Sequence, residues 1–172
     1  TLESNIRRQF KIAIQLILLT RVRKSELLLA RWEHVDFDKA AWHIPAAHSK
    51  TGKSHVVYLS HQAVAHFKTL HVLACGSELV LPGRSSLTKP FAHNGINSAL
   101  KVSLRGQDIP AFTIHDLRRT ASTLLHEKGW LSDVVEKARN HSIGGIRGVY
   151  NRAEYEPQRR DMSQFWADNI DR

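Results

Sequence analysis

The sequence predicts an α+β fold, mainly α-helical, with one small antiparallel sheet. Two observations predict it. Apolar residues recur at helical spacing in most segments, each bounded by capping residues or glycine. A single stretch, residues 34–60, instead alternates with period two around a glycine turn. The first helix spans residues 3–19, with Ile6, Phe10, Ile14, Ile17 and Leu18 on one stripe. A second, residues 24–32, follows the turn Thr20-Arg21-Val22-Arg23.

Residues 35–39 read as a strand end and turn, and Ala41-Trp42-His43-Ile44 as a strand running into Pro45. Ser49-Lys50-Thr51-Gly52-Lys53 forms a hairpin tip, with Gly52 free to take positive φ. His55-Val56-Val57-Tyr58-Leu59 returns as the paired strand. Ser60 caps a helix over residues 61–72. Residues 76–89 read as a loop with an apolar step at Leu79-Val80-Leu81, before a helix over residues 94–104. Thr113 and Asp116 form a capping box for a helix that runs to Lys128 and buries Leu117, Ala121, Leu124 and Leu125. Gly129 ends it, and Ser132 is expected to cap a short helix through Ala138. Pro157 opens a last helix striped by Met162, Phe165, Trp166 and Ile170. That stripe has two readings, packing on its own domain or docking on a neighbouring protomer.

The chain has 172 residues, suited to one domain, and 42% of them are hydrophobic, enough for a core. Lys and Arg number 25 against 16 acids, a net charge of +9 with histidines neutral. That balance points to a polyanion, nucleic acid before an anionic membrane. The lone cysteine, Cys75, excludes an internal disulfide framework and a cysteine-only zinc site, and fits a reducing, cytoplasmic setting. No apolar run reaches the length of a membrane span. The sequence begins at Thr1 and enters a helical pattern at once, so residues 1–172 are expected to be a fragment whose upstream part is absent.

Six residues in five patterns carry candidate chemistry. Arg23 stands at a helix start, where a guanidinium fork and free N–H groups hold phosphate oxygens, with Glu26 placed to orient it. Lys50 on the hairpin tip is a mobile ammonium able to protonate a leaving oxygen, and Lys53 is its close competitor. His115 and Arg118, three apart, share a helix face, whereas Arg119 falls on another. His141 follows Asn140 at a helix end, able to donate to an oxygen or merely to cap. Tyr150 follows the glycine-rich approach 144–148. A phenol there is a nucleophile or a buried structural tyrosine. Taken singly, each of the others also reads as an ordinary surface charge.

The order Arg-x-x-Glu, hairpin Lys, His-x-x-Arg, His, and Tyr nine residues later resembles the tyrosine recombinase family, across nearly the whole chain. Trp42-His43-Ile44-Pro45, His55-Val56-Val57, residues 112–123 and Gly148-Val149-Tyr150-Asn151-Arg152 are most similar to integrases of prophages and genomic islands. The resemblance implies a recombinase catalytic-domain fold and site-specific strand cleavage and rejoining through a 3′-phosphotyrosine, for integration or excision of a mobile element. Tyr150 would be the nucleophile. Arg23 and Arg118 would clamp the scissile phosphate, Lys50 would protonate the departing 5′ oxygen, His115 would assist proton transfer, and His141 would bond a non-bridging oxygen. The implied partners are double-stranded attachment sites, with a tetramer on synapsed DNA, and upstream DNA-binding domains.

Neither a metal nor another cofactor is expected. No clustered carboxylates suit two magnesium ions, no phosphate-loop pattern occurs, and His126-Glu127 lacks the second histidine of a zinc-protease motif at Trp130. The sequence departs from the family pattern in three places. Arg21 stands where glycine is usual. Tyr58 replaces a frequent proline, with little expected consequence. Ala138-Arg139 precedes Asn-His where apolar residues are usual. The competing readings are a DNA-binding module without chemistry and a type IB topoisomerase.

Overall fold

The computed structural model describes residues 2–141 and 153–170, with side chains from residue 8 onward. Helix α1 (Leu2–Thr20) runs through the middle and, besides the helix that directly follows it, packs against α3 (His61–Leu73), α4 (Gly95–Ser103), α5 (Ile114–Glu127) and α7 (Glu156–Ile170). Its sequence explains this placement. Ile12, Ala13, Leu16, Ile17 and Leu19 are all buried, more than one stripe of the helix, and a helix apolar on several faces packs on several sides.

Between α1 and α3 lie α2 (Lys24–Leu28) and a three-stranded antiparallel sheet in the order β1 (Val35–Asp36), β2 (Ala41–Ile44), β3 (His55–Tyr58). Trp42 pairs with Val57 and Ile44 with His55. Trp42 is buried and meets the Phe67 ring of α3 edge-on, with centroids 5.6 Å apart. This arrangement sets the sheet against the helices and leaves the β2–β3 tip, with Lys50, exposed. Ser60 caps α3 as expected, its Oγ accepting from the Ala63 amide at 3.2 Å.

A second core joins α5, α6 (Ser132–Ala138) and α7 through Ala121, Leu125, Val134, Val135, Met162 and Trp166. Thus α7 packs on its own domain: Met162 and Ala167 are fully buried, and the Trp166 indole donates to the Leu18 carbonyl at 2.8 Å.

Four expectations need correction. The second helix stops at Leu28, because Ala30 and Trp32 exchange backbone hydrogen bonds with residues 78–80 and Arg31 bridges Leu79. Residues 76–89 are not only loop: β4 (Pro82–Gly83) and β5 (Ser86–Pro90) pair as a second small sheet. Leu124 is 39% exposed rather than buried, and Arg118 and Ser122 take inward positions beside Ala121 and Leu125. Leu131, not Ser132, occupies the N-cap of α6.

Candidate active site

Helix α1 ends where Arg21 takes φ +60°, a left-handed conformation that favours glycine. This turn throws Arg23 to the start of α2. The left-handed φ that favours glycine is here adopted by an arginine. The arginine side chain is buried, and its guanidinium donates to Ser163 Oγ of α7 at 3.0 Å. Burial first, then Arg159, Arg118 and Arg139, pushes its pKa down to about 9. Arg23 itself is fixed by Glu26, whose carboxylate accepts the Arg23 amide at 2.8 Å and its Nη1 at 3.3 Å. Glu26 is buried, so this pairing is shielded from water.

The Thr113–Asp116 capping box forms, with Asp116 Oδ2 accepting the Thr113 amide at 2.9 Å and Thr113 Oγ1 accepting from the Asp116 amide at 3.3 Å. It starts α5 in the register that brings His115 and Arg118 to one cleft, lined also by Arg23 and Lys50. Arg119 points away, exposed, and pairs with Asp116 at 3.6 Å. Lys53 is exposed and absent from the lining, which separates it from Lys50.

Arg118 is 2% exposed. Its Nη2 donates to the Arg139 carbonyl, while Nη1 is buried without a hydrogen-bond partner among the described residues. Burial first, then repulsion by Arg23, pushes its pKa down to about 10, against the opposing pull of Glu26 and Glu136. It stays charged at neutral pH. A buried guanidinium nitrogen with no acceptor is costly, and an anionic oxygen in the cleft would satisfy it.

His141 is reached by a different device. At the end of α6, Asn140 takes φ +53°, a conformation asparagine tolerates. The chain doubles back, so His141 Nδ1 meets Glu136 Oε2 at 2.7 Å. Burial lowers the His141 pKa, with the Glu136 bond opposing. The neutral ring therefore keeps its proton on Nδ1 toward Glu136 and must take a second on Nε2 to donate there. Arg139, the unusual residue before Asn140, donates to Ser122 Oγ at 3.0 Å and to Glu136 Oε1 at 3.3 Å. These bonds account for a charge where an apolar residue is usual.

The structure thus brings Arg23, Lys50, His115 and Arg118 to one cleft, and ties His141 to it through Arg139 and Arg118. Tyr150 and the glycines before it lie outside the described residues. Sequence reading missed Glu136, Arg139 and His55, whose ring lies in the field of Arg159, Arg118 and Arg23. A five-residue gap from Glu136 to His141 is not a helical pairing, and only the turn at Asn140 makes it one.

His55 lies on β3 with Nδ1 buried and no partner among the described residues. Burial first, then Arg159, Arg118 and Arg23, pushes its pKa down to about 4. The folded value lies below the unfolded value near 6.5, so the unfolded chain binds the extra proton between them. His55 therefore contributes full stability above pH 6.5, lost progressively as pH falls toward 4. At pH 5 the loss from this group is about 2 kcal/mol relative to pH 7.5. Urea midpoints at both pH values test this. His55→Asn should remove that part of the acid sensitivity, and an unchanged pH dependence in the variant would refute it.

Comparison with known proteins follows the same lines. The family model described as the phage integrase family matches residues 3–156. Prophage integrase IntA of Escherichia coli (strain K12) is 40% identical over 154 residues, covering 89% of this chain and 37% of its own length. The integrase of Enterobacteria phage P4 is 37% identical over 177 residues, covering 94% of this chain and 40% of its own. The chain therefore spans about two fifths of the length of these relatives. Among solved structures, the integrase from mycobacterium phage Brujita superposes with a TM-score of 0.68 at 17% identity, covering 91% of this chain and 50% of that one. The XerA recombinase gives 0.65 at 18% identity, covering 95% and 63%. These two share the fold, mainly helical with small antiparallel sheets. By the match of the family model over nearly its whole length, the chain belongs to the phage integrase family.

Proposed function

We propose that the chain is the catalytic domain of a site-specific recombinase. It would cleave and rejoin double-stranded DNA at attachment sites through a 3′-phosphotyrosine, to integrate or excise a mobile element. The observation that carries this reading is the cleft that joins Arg23, Lys50, His115 and Arg118, with Arg118 Nη1 buried and without an acceptor among the described residues. A phosphodiester supplies that acceptor. Two relatives in the fold, a lambda integrase and the XerH recombinase, were solved bound to their core site and to difH DNA. The +9 charge suits the same polyanion.

In this mechanism Arg23 and Arg118 hold the non-bridging oxygens, where negative charge grows at the transition state. Tyr150 Oη attacks phosphorus, and the P–O5′ bond breaks. The electrons leave on O5′, which takes a proton from the Lys50 ammonium. The tyrosine proton passes toward His115. His141, taking a second proton from solvent on Nε2 that the negative charge of a bound phosphate favours, donates to a non-bridging oxygen. The phosphotyrosyl ester conserves the bond energy, so a second 5′ hydroxyl reverses the reaction and reseals the strand. No residue needs ATP or a metal for these steps. Four protomers on two synapsed duplexes would exchange strands, in the cytoplasm with the chromosome. Among the described residues no helix is long and apolar enough to cross a membrane.

The test uses a library of nicked duplexes with a randomised core, in which the short 5′ fragment diffuses away after cleavage. The wild-type protein is expected to yield a detergent-stable protein–DNA adduct, and sequencing the trapped DNA identifies the preferred core. Tyr150→Phe is expected to yield none. An undiminished adduct in Tyr150→Phe, or none with wild type, overturns the reading. Adducts recovered without core preference would indicate a topoisomerase instead.

A further inference from the structure

The hairpin tip that carries Lys50 is held by one side chain from the turn that follows α6. Asn140 Nδ2 lies 2.9 Å from Ser49 Oγ, 3.0 Å from Thr51 Oγ1 and 3.2 Å from the Lys53 carbonyl. Its two N–H hydrogens serve these three acceptors, so one bond is shared. The acceptors flank Lys50 on both sides. Ser49 Oγ and Thr51 Oγ1 also bond each other at 3.0 Å, and the Gly52 amide donates to the Ser49 carbonyl at 3.1 Å. The tip is therefore a closed turn with Lys50 at its centre, and Asn140 is its one side-chain link to α6 among the described residues.

We propose that Asn140 is a positioning residue for Lys50, locking the β2–β3 tip so that the ammonium meets the departing 5′ oxygen. This rests on the reading of Lys50 as the general acid. The physical need is clear. A lysine ammonium sits on a four-carbon stem with large rotamer freedom and makes no fork to fix itself. Its backbone is at an exposed tip, where loops move most. A proton donor displaced by about 1 Å loses on the order of a hundredfold in rate. Asn140 does two jobs through one conformation: its left-handed φ turns His141 back toward Glu136, and the same turn aims its carboxamide at the tip. Phosphate contact at His141 and proton donation at Lys50 are thereby set by a single rigid corner.

Asn140→Gly isolates the carboxamide, because glycine takes the left-handed φ at no steric cost. Ser49→Ala with Thr51→Val removes two acceptors from the other side and is expected to copy it. Two readouts decide. The first needs no DNA. Trypsin should cut after Lys50 and Lys53 several-fold faster in Asn140→Gly than in wild type, at an unchanged urea midpoint. Equal cutting overturns the clamp, whatever the enzyme does with DNA.

The second readout uses the duplex recovered from the library, made with either a normal or a 5′-bridging sulfur phosphodiester at the cleavage position. When sulfur leaves, the P–S bond breaks to a thiolate that needs no proton, since thiols ionise near pH 8.5. Asn140→Gly is expected to cut the normal linkage roughly 10- to 100-fold more slowly and the sulfur linkage at near the wild-type rate. An equal loss on both linkages shows damage to the phosphate pocket instead, and sinks the proposal. If wild type forms no adduct on either linkage, the enzymatic reading fails, while the trypsin result still decides whether Asn140 holds the tip.

Discussion

Arg118→Ala is expected to lower the rate of adduct formation by a hundredfold or more, with little loss of stability. If Arg118 holds the scissile phosphate as proposed, its loss removes a donor aimed where charge develops, which typically costs about 3 to 4 kcal/mol of transition-state stabilisation. The stability side follows from the surroundings. Arg118 lies in a field shared with Arg23 and Arg139, which Glu26 and Glu136 only partly offset. Its Nη1 is buried with no hydrogen-bond partner among the described residues, an arrangement that costs stability. Truncation relieves that strain while giving up the bond to the Arg139 carbonyl. The two changes oppose each other, as is usual where a site stores strain for a ligand. Arg118→Lys keeps the charge but not the fork, and is expected to recover only part of the rate. Single-turnover cleavage on the selected duplex, beside a urea titration, measures both. Near-wild-type cleavage by Arg118→Ala would remove this residue from the pocket.

Deleting residues 158–172 is expected to unfold the domain rather than merely to abolish assembly. Helix α7 supplies Met162 and Trp166 to the second core, both nearly or fully buried. Losing a buried Met or Trp side chain typically costs about 2 to 5 kcal/mol each. Total stability of a domain is only about 5 to 15 kcal/mol. The helix also holds β3. Arg159 donates to the Val56 carbonyl and stacks with Arg160 against the Tyr58 ring, the two guanidinium carbons lying 4.8 and 4.3 Å from its centroid. Arg160 Nη1 reaches the Lys39 carbonyl at 2.8 Å. Tyr58, in place of a frequent proline, is therefore not a neutral change, because it is the platform on which α7 sits. Circular dichroism and a thermal melt of the truncated chain give the answer. A cooperative melt close to that of the full chain would mean that α7 contributes little to its own domain.

Local patterns in the chain were enough for much of this protein. Arg118 rather than Arg119 follows from a three-residue helical step and a capping box that sets the register. The hairpin with Lys50 follows from period-two alternation about Gly52. The long apolar helix α1 follows from its residues alone. Each rests on backbone geometry within a few neighbours, which a sequence expresses directly.

Other features needed contacts that close only in three dimensions. The stop of α2 at Leu28 depends on the segment at residues 78–80, fifty positions away, whose backbone bonds Ala30 and Trp32 and bridges Arg31. Lys50 is separated from Lys53 only by the cleft, and Asn140 finds the tip across 91 positions of chain. Arg21 keeps a glycine conformation because Ser163 lies within its reach. The sequence by itself determined most of the elements, the family and the charged residues Arg23, Lys50, His115 and Arg118 that line one cleft. Tertiary structure decided their pairing, their burial and which donors lack a partner among the described residues, because hydrogen-bond partners and dielectric environment belong to the packed neighbourhood and not to any residue's position along the chain.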